Sequence, residues 1–175
     1  SEGAITDIAF MATRPGSDTY HRHFKEAFIR PGLGKEGWGN RANYITLNVV
    51  QTSDTEMKMF MYGGAQYVMR LDGFISVNAG FEEGEFVTNP LIFDGKELEL
   101  NCSTAGAGNL RIEIQTPDGK PITEFSLDEF DTIRGDSVSQ LATWKKNADV
   151  SALAGKPVRL RFVMNEADLY SLKFN

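Results

Sequence analysis

The sequence predicts an all-β fold: an antiparallel β-sandwich of jelly-roll type over residues 73–175, preceded by a less regular unit of a few strands over residues 1–72. Period-2 alternation recurs in short runs, clearest in Glu97–Cys102, Leu110–Gln115 and Val158–Met164. Strong turn signals, of which Pro117-Asp118-Gly119 is the plainest, separate those runs. Before residue 70 the chain is irregular and rich in arginine, aromatic residues and glycine, so the change of texture marks a joint.

The length of 175 residues suits one good core with an appended piece. A formal net charge of −6 argues against a nucleic-acid backbone as partner, which needs a basic face. No apolar run approaches the roughly 18 residues of a membrane helix, so a soluble chain without a membrane partner is expected. The single cysteine, Cys102, has no intramolecular disulfide partner, and compartment cannot be read from it. Without an initiator methionine or a signal peptide, Ser1 reads as a processed, truncated or cloned start.

Residues 5–14 form a strand-like apolar run that stops at Pro15-Gly16. His23–Ile29 alternates Phe24, Glu26 and Phe28 against Lys25, Ala27 and Ile29; a helical turn also fits, and Arg30-Pro31-Gly32 ends either one. Gly32–Asn43 is a glycine-laden loop. Tyr44–Gln51 and Glu56–Tyr62 read as a hairpin around Thr52–Thr55, with Ile45, Leu47 and Val49 on one face. Met57, Met59 and Met61 alternate as one strand face, a simpler reading than a methionine-rich binding surface.

The joint itself is Arg70–Pro90, where Asp72-Gly73 turns the chain and Phe74–Asn78 and Gly84–Thr88 read as short strands. Beyond it Leu98, Leu100 and Cys102 face inward, as do Leu110, Ile112 and Ile114, then Val158, Leu160, Phe162 and Met164. Tyr170, Leu172 and Phe174 close the series. Phe125–Gly135 lacks alternation and reads as a crossover loop, and Ala148–Leu153 as a single helical turn.

No catalytic, cofactor or phosphate-binding motif of specific spacing is present, and no cofactor is expected. His21 and His23 could share a strand face, but without a third ligand nearby they make a poor metal site, and none is assigned. Glu97, Glu99 and Glu113 lie opposite Arg111, Arg159 and Arg161, which cross-strand ion pairing on a solvated face explains. The acidic turn of Glu82, Glu83 and Glu85 reads as a solvated turn before it reads as a calcium site. Arg134-Gly135-Asp136 spells an adhesion tripeptide and Asn101-Cys102-Ser103 a glycosylation pattern, both short enough for chance. The richest cluster is Arg22, Glu26, Arg30, Trp38, Asn40, Arg41, Asn43 and Tyr44. Planar donors, amides and an aromatic face are what a sugar site uses, and a loop pinned by buried arginine hydrogen bonds needs the same residues.

Taken together the segments 10–16, 26–32, 38–44, 70–80, 84–93, 110–127, 135–137, 151–164 and 166–174 (FMATRPG, EAFIRPG, WGNRANY, RLDGFISVNAG and their successors) carry a likeness. They resemble the C-terminal end of bacterial proteins related to glycoside hydrolase family thirty-two, which join a five-bladed propeller to a β-sandwich. The resemblance spans nearly the whole chain as a pattern of segments. It implies that residues 1–70 are about the last blade, which makes the strands of 1–72 propeller-blade-like, and residues 74–175 the sandwich, a part that is structural and sometimes sugar-binding. It places the catalytic acids on earlier blades, so no catalytic residue is assigned here. Arg22, Glu26, Trp38, Arg41 and Tyr44 fall in blade motifs, and the resemblance puts them at the border of a substrate pocket. An orphan blade leaves apolar faces open, so residues 1–70 are expected either to lie across the sandwich or to bury that face in a homo-oligomer. By analogy alone, the location is extracellular or periplasmic. The expectation is an accessory portion of a glycoside-hydrolase-like protein, not hydrolytic on its own. A free-standing carbohydrate-binding module and a structural or oligomerising domain are the alternatives.

Overall fold

The β-rich pattern of the sequence becomes strand over about 45 % of the chain, and among the described residues no helix reaches seven residues: the protein is all-β. The computed structural model describes residues 4–39 and 43–175. Two compact units divide the chain, the first ending at Phe74 and the second beginning at Ile75.

The first unit is built on a three-stranded antiparallel sheet of β1 (Ile45–Gln51), β2 (Glu56–Met61) and β3 (Gln66–Arg70), with β2 in the centre. The expected hairpin around Thr52–Thr55 is present, and the methionine stripe is core: Met57, Met59 and Met61 are all buried. The single face expected for Ile45, Leu47 and Val49 on β1 is broken, however. Asn48 adopts a left-handed conformation (φ 82°), and the pairing with β2 shifts between Ile45 and Val49. A shift of register changes which face a residue occupies, and Leu47 is left 90 % exposed. The run 5–14 is not a continuous strand. It touches the following segment through single bridges, Ile8 to Ile29 and Ala12 to His21, and no helical turn forms over 23–29. A cluster of phenylalanines packs this irregular region: Phe10 lies 5.4 Å from Phe74, 5.6 Å from Phe28 and 6.0 Å from Phe24 between ring centroids.

The second unit is one five-stranded antiparallel sheet that curls into half a barrel. Its spine is a pair of very long strands, β6 (Leu98–Gln115) and β8 (Arg159–Phe174), flanked by β7 (Asp136–Leu141) on β6 and by β4 (Val77–Ala79) and β5 (Gly84–Val87) on β8. The runs 97–102 and 110–115 are thus two halves of one strand, and so are 158–164 and 170–174. Between the halves Thr104 pairs with Ala167 and Asn109 with Asn165, so β6 loops outward where β8 takes a short step. Gly108 sits at that step because the backbones approach too closely for a side chain: a Cβ there would lie 2.4 Å from the Glu166 carbonyl oxygen.

Alternation does the rest. Leu98, Leu100, Cys102, Leu110, Ile112, Ile114, Leu160 and Phe162 are fully buried on the concave face. Irregular segments cover it with Phe93, Phe125, Phe130, Trp144 and Val150. Trp144 meets Phe125 and Phe130 edge-on at 5.3 and 5.1 Å, with its indole N–H lacking an acceptor. Residues 125–135 form no strand, as expected of a crossover, and Ser151–Leu153 is a single 3-10 turn.

On the convex face the ion pairs expected from the sequence appear in altered form. Arg161 reaches Glu85 at 2.5 Å and Glu113 at 3.6 Å, Arg111 reaches Glu83 at 2.9 Å, and Lys173 reaches Glu99 at 3.0 Å. Glu113 is not solvated but buried, because the 121–133 segment closes over the edge of β6. Its carboxylate accepts from the Gln115 amide at 2.8 Å and from the Leu127 N–H at 3.3 Å.

Candidate functional site

The cluster singled out in the first 44 residues is positioned by a few backbone contacts. Ile8 and Ile29 exchange hydrogen bonds (N to O 3.0 and 3.3 Å), and antiparallel pairing at that point sets Asp7 beside Arg30. Arg30-Pro31-Gly32 then turns the chain, with Gly32 in a left-handed conformation (φ 77°), into a 3-10 turn over Lys35–Trp38. Gly37 is buried so tightly against Pro31 that a Cβ would lie 2.0 Å from the Pro31 carbonyl oxygen. Asn43, 3 % exposed, donates its side-chain amide to the carbonyls of Thr6 and Gly37, the latter at 2.8 Å. The loop is therefore pinned, by an amide and a tight glycine contact.

That scaffold builds an open cleft of about 490 Å³, lined by Asp7, Glu26, Arg30, Pro31, Gly32 and Trp38. The indole N–H of Trp38 donates to the Gly32 carbonyl at 2.7 Å, which fixes the ring while leaving the side chain 54 % exposed. Asp7, Glu26 and Arg30 are exposed and form no ion pair or side-chain hydrogen bond with any described residue. The cleft thus offers an immobilised aromatic surface, two carboxylates and one guanidinium. These groups can accept from and donate to hydroxyls, while the ring face takes an apolar patch.

Of the residues named from the sequence, Glu26 and Trp38 line this cleft together. Arg22 does not: its guanidinium is spent on the backbone carbonyls of Phe24 (3.1 Å) and Lys25. Tyr44 is half exposed at the head of the sheet, its carbonyl accepting from the Tyr62 N–H at 2.8 Å, and it is not part of the cleft lining. Arg41 and Asn40 lie outside the described residues. Asp7 escaped the sequence reading. Its only signal was adjacency to an apolar Ile8, and the pairing of Ile8 with Ile29 is a tertiary fact.

The remaining motifs are accounted for by packing. Asn101 of the glycosylation pattern is 3 % exposed within β6, closed to any modifying enzyme. Arg134 of the adhesion tripeptide donates to the carbonyls of Ala107 and Gly108 (3.1 and 3.3 Å), and Asp136 opens β7, so the tripeptide is not a free loop tip. Glu83 and Glu85 of the acidic turn are held by arginines, and His21 and His23 are both exposed with ring centroids 6.2 Å apart. Among the described residues no group of three or more metal-ligating side chains converges, and no helix is long and apolar enough to cross a membrane.

No protein-family model, no curated protein and no solved structure matches this chain.

Proposed function

We propose that the chain is a carbohydrate-contacting accessory portion of a glycoside-hydrolase-like protein, with the Trp38 cleft as its sugar-binding surface. One observation carries the reading. An indole held by its own N–H stays about half exposed in a cleft it shares with Asp7, Glu26 and Arg30, whose polar groups no described residue occupies. A rigid aromatic anchor ringed by planar polar groups is what saccharide recognition requires, since a pyranose has apolar faces and a hydroxyl rim. In this reading the three-stranded sheet of the first unit is a blade-like element, and the curled sheet with its irregular cover is a jelly-roll-type sandwich. Trp144 takes no part, being 2 % exposed.

The test is a glycan array followed by isothermal titration, with tryptophan fluorescence read in parallel. Binding should quench Trp38 emission and be abolished in Trp38→Ala, while Trp144 emission stays constant. Silence across a broad panel, or binding that survives Trp38→Ala, would reject the reading.

A structural or oligomerising role has one observation in its favour: Leu47 at 90 % exposure, with Val49 and Val50 beside it on an edge strand. Sedimentation that shows a dimer, dissociated by Leu47→Lys, would support that role instead.

A further inference from the structure

The Trp38 cleft has a neighbour of different chemistry. A cavity of about 420 Å³ shares Arg30 and Gly32 with it and is otherwise lined by Phe28, Met59, Tyr67, Val68, Met69 and adjoining backbone. The strand register explains the apolar wall. Met59 pairs with Tyr67 and Met57 with Met69, so Tyr67 and Met69 project from the same sheet face as the methionine stripe. Arg30 is the one charged residue in this lining, among the described residues. A saccharide has little use for such a space, since its hydroxyls would lose water there without finding partners. An alkyl or aromatic group gains by entering, and thioether sulfurs adapt to its shape.

We infer that the ligand of this module is an amphiphilic glycoside, a sugar joined to an aromatic or alkyl group. Its saccharide lies against Trp38, and its apolar end enters the Met59–Tyr67–Met69 cavity. The inference rests on the carbohydrate reading of the Trp38 cleft and adds the ligand class to it. Arg30 borders both spaces, so it stands at the glycosidic junction, able to donate to the sugar and to lie over an aromatic ring. Each cavity alone is of a size that holds a small ligand or one part of a larger one.

The experiment uses the full chain with methyl, phenyl and butyl glycosides of glucose, galactose and mannose. Affinity is followed by Trp38 quenching, and position by the ¹³C-methyl resonances of the methionines. The phenyl and butyl forms should bind at least about tenfold more tightly than the methyl form, as apolar surface leaves water. They should also shift the Met59 and Met69 methyl signals, with Met164 in the other unit unmoved. Tyr67→Ala should abolish the gain while leaving methyl-glycoside affinity intact, which also reports that the unit is folded. Equal affinity across the three forms, or tighter binding with Met59 and Met69 unmoved, would overturn the inference and leave the sugar reading standing. Failure of every glycoside to bind would remove both.

Discussion

Truncating Phe162 to alanine tests whether the second unit is held together as described. Phe162 is fully buried near the start of β8, between Phe86 of β5 and Ile112 of β6, and its ring stacks on Phe86 at 4.7 Å and 6°. Alanine removes the transfer energy of a benzyl group and leaves a cavity that long, paired strands cannot collapse to fill, at a cost of about 3–5 kcal/mol. Part of that is the ring pair itself, roughly 0.5–1.5 kcal/mol. A unit of this size has about 5–15 kcal/mol in total, so the variant should fold with its thermal midpoint lowered on the order of 15–30 °C. The chain has two tryptophans, one in each unit, so a Trp38→Phe background leaves Trp144 as sole reporter of the second. Urea and thermal unfolding followed by Trp144 emission, with and without Phe162→Ala, give the difference directly. A loss under about 1 kcal/mol would mean that β5 does not close over this core and that Phe162 does not hold the sheet together.

Three further outcomes follow from single contacts. Gly108→Ala should destabilise the second unit by several kcal/mol (of the order of 3) in urea titration, because the new Cβ collides with backbone rather than with a movable side chain. Asp131 accepts from the Thr143 hydroxyl at 2.7 Å and the Lys146 N–H at 2.6 Å, and these hydrogen bonds hold its carboxyl below the ordinary range. Its contribution is therefore complete above the unfolded value of about 3.9 and fades as pH falls below it, so Asp131→Asn should flatten the loss of stability as pH drops through and below about 3.9. An unchanged acid limb would show that other carboxylates govern it. Asn43→Ala takes an amide donor from the buried Gly37 carbonyl and the half-buried Thr6 carbonyl and should cost the first unit about 1–3 kcal/mol, with the emission of Trp38 shifting as its loop loosens. Unaltered stability and emission would place the loop's anchorage elsewhere.

The sequence by itself determined what depends on neighbours along the chain. Alternation in 97–102, 110–115 and 158–164 identified the core residues, since side-chain direction in a strand is a local property. The hairpin at 52–55, the buried methionine face and the single turn before Gly155 were legible for the same reason. Trp38 and Glu26 were visible as chemistry in a glycine-rich loop.

What only the tertiary structure decided depends on meetings between distant segments. Two short runs fused into one 18-residue β6 because β8 runs alongside both halves, and β7 went unread because its side chains are only half covered at an edge. Glu113 was placed in solvent because the pattern could not show that residues 121–133 would return over it. Arg22 and Tyr44 have the right chemistry for a site, but backbone carbonyls take the guanidinium of the first and the fold sets the second apart. Asp7 entered the cleft through the pairing of Ile8 with Ile29, 21 positions apart in the sequence. A local pattern fixes which way a side chain points, but only the closing of loops fixes what it points at.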